Sequence, residues 1–62
     1  MELLTTISKT TEDRISKWSF MKTDDDQYFA IKGNYKVLPC KDRDDLRALY
    51  HRMTTNYGFT KV

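Results

Sequence analysis

Two turn signals cut the stretch from Arg14 to Leu38 into three short segments, and they constrain the fold more than any other feature of the chain. The first is Thr23-Asp24-Asp25-Asp26, polar and rich in turn formers. The second is Gly33-Asn34, two residue types that tolerate the positive φ a tight hairpin demands. Between them lie residues 14–22 (RISKWSFMK), 27–32 (QYFAIK) and 35–38 (YKVL), all of strand-forming composition. Pro39 cannot donate a ladder hydrogen bond and is expected to end the third strand.

Loop length then sets register. A two-residue Gly33-Asn34 loop pairs Lys32 with Tyr35 and Phe29 with Leu38. A four-residue Thr23–Asp26 loop pairs Phe20 with Phe29 and Trp18 with Ile31. Cross-strand partners share a face. This register predicts one apolar face of Trp18, Phe20, Phe29, Ile31 and Leu38, with Lys36 at its edge. It places Lys17, Ser19, Met21, Tyr28, Ala30, Lys32, Tyr35 and Val37 on the other.

Three strands cannot stand alone in water, and the rest of the chain supplies a cover. Leu46, Leu49, Tyr50, Met53 and Tyr57 recur at helical spacing. Asp42 suits an N-cap, Asp44 and Asp45 suit the positive end of the helix dipole, and Gly58 suits the position after the helix. The reading is a helix over 42–57 laid across a three-stranded antiparallel meander, an α+β fold in one domain of residues 1–62. Residues 59–62 form a tail packed through Phe59 and Val62. Residues 1–13 hold five hydroxyl side chains between Thr5 and Thr11 and read as an extended arm or edge strand. A short helical turn starting near Thr11 is the alternative.

Size and composition exclude whole classes. A 62-residue chain buries only about 60% of the surface its unfolded form exposes. One cysteine, Cys40, permits neither an intramolecular disulfide nor a multi-cysteine zinc site. Apolar runs fall far short of the ~20 residues a membrane helix needs, and the acidic, Thr-rich start shows no signal-peptide pattern. A cytoplasmic protein is therefore expected. At 39% hydrophobic and 32% charged, the chain is globular in composition. Eleven basic against nine acidic residues leave a net charge of +2, which permits nucleic-acid binding without announcing it.

No enzyme chemistry is expected. His51 and Cys40 are single residues of their kind, and a core this small predicts no ligand-sized pocket. Asp24–Asp26 lacks the alternating acids, central Gly and distal Glu of a calcium loop and reads as a solvated tip. No cofactor or metal is implied.

Two features point to binding. Arg43, Arg47 and His51 recur every four residues, a basic stripe on the helix suited to phosphates or an acidic partner. Tyr28, Tyr35, Lys17 and Lys32 would line the sheet face that no helix covers. Aromatic and basic residues together suit stacking, phosphate contact or a protein hot spot.

The order of an aromatic strand, a charged turn, a second aromatic strand, a Gly turn, a short strand and an acid-capped helix runs through KWSFMKTDDDQYFAIKGNYKVLPCKDRDDLRALYHRM. This layout resembles the AP2-type domain and the arm-binding domain of tyrosine integrases. The resemblance implies a sheet face set in the DNA major groove, with Lys17, Ser19, Met21, Tyr28, Lys32 and Tyr35 facing it. The chain departs from that pattern in having no Arg on this face and three Asp beside it.

Two function classes follow. In the first, a small phage-like regulator binds duplex DNA. Lys17, Lys32 and Lys36 touch phosphates, Tyr28 and Tyr35 reach bases or sugars, and Arg43 and Arg47 add a second contact. In the second, the chain inhibits or modulates a host protein, docking through the Tyr-rich sheet face or an edge strand. Self-association into a homodimer is compatible with either.

Overall fold

The computed structural model describes residues 1–33 and 36–62. In chain order the elements are β1 (Glu2–Thr10), β2 (Ile15–Lys22), β3 (Tyr28–Lys32), β4 (Lys36–Cys40), α1 (Arg43–Asn56) and the two-residue β5 (Thr60–Lys61). The strands form one antiparallel sheet in the order β4-β3-β2-β1-β5. The α+β class stands as expected, but the sheet has five strands rather than three.

The two extra strands come from segments with little apolar content. β1 pairs with β2 along nearly its whole length, setting Ile7 opposite Trp18. It is not an edge, because the tail returns as β5 on its outer side, pairing Lys61 with Ile7. Val62 N–H donates to the Thr6 carbonyl at 2.9 Å, although its side chain is exposed rather than packed. The register of β1 shifts between Leu3 and Thr5, a bulge centred on Leu4.

Register departs from the expected pairing by one residue in both hairpins. Phe20 pairs with Ala30 rather than Phe29, and Trp18 with Lys32 rather than Ile31. Ala30 pairs with Leu38, and Lys32 with Lys36. The first loop therefore spans five residues, Thr23 to Gln27. Thr23 N–H donates to the Gln27 carbonyl at 2.9 Å, and Asp26 N–H donates back to the Thr23 carbonyl at 3.1 Å. Asp26 takes the left-handed conformation (φ 64°) that closes the turn. Of the second turn, Gly33 is left-handed (φ 59°), while Asn34 and Tyr35 lie outside the described residues.

A one-residue slip turns a strand over. Ala30, expected outside, is fully buried, and Phe29 and Ile31 move to the face away from the helix. The core is Ile7, Trp18, Phe20, Ala30, Leu46 and Met53, with Tyr28, Leu38, Cys40, Leu49, Tyr50 and Phe59 packed against it. Each fully buried large side chain contributes about 1.5–3 kcal/mol.

β4 runs through Pro39 to Cys40 instead of ending before the proline. It is an edge strand, where a missing N–H costs the ladder nothing.

The helix closely matches the expected span. Asp42 caps it, its carboxylate accepting from Asp45 N–H at 2.9 Å, while the Asp45 carboxylate accepts from Lys41 N–H at 2.9 Å. Beyond Tyr57, Gly58 adopts φ 78°, which L side chains rarely take. The reversal lets Phe59 N–H donate to the Met53 carbonyl at 3.2 Å and brings Phe59 against the core. Leu46 and Met53 are buried as the stripe predicts, whereas Tyr57 is exposed.

Candidate functional site

Pairing divides the strand residues into two faces. The inner face, toward α1, holds Thr5, Ile7, Trp18, Phe20, Lys22, Tyr28, Ala30, Lys32, Lys36 and Leu38. The outer face has one apolar row running across four strands and a shorter one across two. Leu3, Met21, Phe29 and Pro39 are successive cross-strand partners, and Ile31 with Val37 continues the row from Thr6 and Ser19. Lys17 is the one charged residue that the pairing places on this face. Leu3 and Val37 are more than half exposed. An antiparallel sheet with one wet face is normally polar on that side. This one is apolar at seven paired positions: Leu3, Ile15, Met21, Phe29, Ile31, Val37 and Pro39.

The expected site residues therefore separate. Lys17, Ser19 and Met21 lie on the outer face as expected. Tyr28 and Lys32 do not, because the slipped register carries both to the inner face, and Lys36 pairs with Lys32 there. Tyr35 lies outside the described residues. Tyr28 packs against the core and lines a cleft under the helix, together with Arg43 and Arg47.

That cleft corrects the expectation of no ligand-sized pocket. A helix is about 10 Å across, whereas five strands at about 4.8 Å spacing span roughly 19 Å between outer axes. α1 lies closest to β3 and β4 and leaves one end of the β1–β2 half open. The opening has a volume of about 490 Å³. Its floor is Phe20, Tyr28, Leu46 and Tyr50, with the Phe20 and Tyr50 rings edge to face at 5.6 Å. Lys22, Arg43, Arg47 and Lys61 surround it, against the single carboxylate of Glu2. Lys22 is tied to Asp26 at 3.3 Å; that hydrogen bond and charge raise its pKa above the ordinary lysine value. The other ion pair among the described residues joins the N-terminal amine to Asp24 at 3.7 Å, so Arg43, Arg47 and Lys61 have no carboxylate partner there.

Thr5, on the cleft wall, has a buried hydroxyl with no hydrogen-bond partner. A buried, unmade hydrogen bond costs about 1–3 kcal/mol. Thr5→Val keeps the shape and removes the orphan, and should raise stability by about 1 kcal/mol, read as a higher urea midpoint.

The remaining candidates, His51 and Cys40, do not line the cleft. His51 is exposed on the helix. Cys40 is half-buried at the end of β4, where burial and then the nearby Asp45 carboxylate push its thiol up from its ordinary value. This is the reverse of the activation a helix N-terminus gives a thiol. Among the described residues no group of three or more His, Cys, Asp or Glu is placed to hold a metal ion, and no helix is long and apolar enough to cross a membrane. The chain matches no protein-family model, no curated protein and no solved structure.

Proposed function

We propose that this chain is a small non-enzymatic regulator that docks on a partner protein through the outer face of its sheet. One observation supports the reading above all: the two apolar rows, Leu3–Met21–Phe29–Pro39 and Ile31–Val37, lie on a face with Lys17 as its one paired charge. Exposed apolar patches of this kind mark interaction surfaces, and depletion of charge is the mark of an interface core. Docking by strand addition is less well supported. β4 carries Lys36 and Pro39 at one edge, and β5 is only two residues long at the other.

Duplex DNA suits this face poorly. Affinity for DNA comes largely from neutralised phosphates, each adding about 0.9 to the salt slope. With Lys32 and Lys36 on the inner face, Lys17 alone serves that purpose.

The test is affinity capture from lysate of the source cell with the tagged wild-type chain and with the double variant Phe29→Lys, Ile31→Lys. Both side chains are half-buried on the face that no helix covers, so long lysine stems can lie along it and the variant is expected to keep the wild-type circular dichroism spectrum. A specific partner should bind the wild type, survive raised salt and nuclease, and be lost with the double variant. Retention of that partner by the double variant sinks the reading. A partner removed by nuclease or by salt favours DNA instead.

A further inference from the structure

We propose that the cleft between α1 and the β1–β2 half of the sheet binds a small anionic amphipath, an oxyanion (phosphate or carboxylate) carried on a flat apolar or aromatic body. The proposal is independent of the docking reading, since the cleft and the outer face are on opposite sides of the sheet. Its volume, about 490 Å³, falls within the range of about 300–1,000 Å³ typical of ligand sites.

The charge arrangement selects the ligand's sign. Arg43 and Arg47 stand one turn apart at i and i+4, where side chains of a helix are neighbours. Like charges at that spacing weaken a helix slightly, and neither guanidinium has a carboxylate partner among the described residues. An oxyanion between them relieves the repulsion and accepts paired N–H bonds from each planar fork. Lys61 enters from β5 on the same cleft and adds its ammonium to the two guanidiniums.

The floor selects the body. The half-buried Tyr28 and Tyr50 and the exposed Leu4 present apolar and aromatic surface beside the cations. A bare inorganic anion would leave that surface wet, whereas an aromatic ring would cover it.

The test is an amide chemical-shift titration of the full chain with 1-naphthyl phosphate. Parallel arms use 1-naphthoate, neutral 1-naphthol and inorganic phosphate. Naphthyl phosphate should shift the amides of Thr5, Leu46 and Arg47 saturably. Naphthol and inorganic phosphate should each bind at least about tenfold more weakly, a difference of about 1.4 kcal/mol. Naphthoate binding as tightly as naphthyl phosphate assigns the site to oxyanions in general, and weaker binding assigns it to phosphates. The double variant Arg43→Gln, Arg47→Gln removes two exposed charges and should keep the dispersed spectrum of the wild type. It should lose at least about tenfold in affinity for naphthyl phosphate. Undiminished binding by that variant, equal binding of naphthol, or shifts confined to Met21, Phe29 and Ile31 would overturn the proposal. So would a short DNA duplex that shifts the cleft amides where naphthyl phosphate does not.

Discussion

Phe20→Ala should cost about 3–5 kcal/mol, a large share of the stability of so short a chain, while Phe29→Ala should cost no more than about 1 kcal/mol. Phe20 is 1% exposed and is the largest fully buried side chain among the described residues. Its ring meets Tyr50 edge to face and pairs on the sheet with Ala30 and Thr5. Emptying such a site costs about 3–5 kcal/mol. A chain of 62 residues has a total stability of roughly 3–9 kcal/mol, at about 0.05–0.15 kcal/mol per residue. Phe29 lies on the uncovered face, where truncation opens no cavity. Urea unfolding followed by circular dichroism measures both. Equal losses would contradict the observed register, which alone separates the two rings.

Ala30→Asp should be worse than its neighbour Ile31→Asp by several kcal/mol. Ala30 is fully buried between Phe20 and Leu38 on the inner face. A carboxylate there would be desolvated with no cation among its cross-strand partners, and an unpaired buried charge costs several kcal/mol even after relaxation. Its pKa in the fold would rise above the unfolded value. The folded state would therefore bind more protons than the unfolded one, and stability would fall as pH rises through the carboxylate range. Lowering the pH below that range should restore part of the loss. Ile31→Asp places the same group on the solvent face and should show neither the large loss nor this acid rescue. Thermal melts at neutral and acidic pH compare the two. Tolerance of Ala30→Asp would mean that β3 presents its other side to the helix.

These contrasts mark where the sequence was ambiguous. In β3 the four consecutive residues Tyr28, Phe29, Ala30 and Ile31 are all apolar. Period-two alternation cannot choose a face for such a segment. The choice passed to the loops, and each loop proved one residue longer than its turn signal suggested. Gln27 resembles a strand residue, yet its amide donates to the Thr23 hydroxyl and its carbonyl closes the turn. A Thr followed four residues later by a residue whose amide it can accept was the available signal for the longer loop. Tyr28 and Lys32 changed faces for this reason, while Lys36 stayed on the face expected for it. The cleft had no local signal, since Thr5, Tyr28, Arg47 and Lys61 are far apart along the chain.

Other features were legible because their causes are local. The Asp42 cap, the left-handed Gly58 and the Leu46/Met53 stripe depend on neighbours within a turn or two. Strand existence in 14–38 likewise followed from composition and turn residues. The amino-acid sequence by itself determined an α+β fold with an acid-capped helix and a strand-rich body. Only the tertiary structure decided which side of each strand faces the helix, that the two termini complete the sheet, and that its other face is apolar. Those outcomes depend on pairings between distant residues, where one residue of loop length reverses every side chain along a strand.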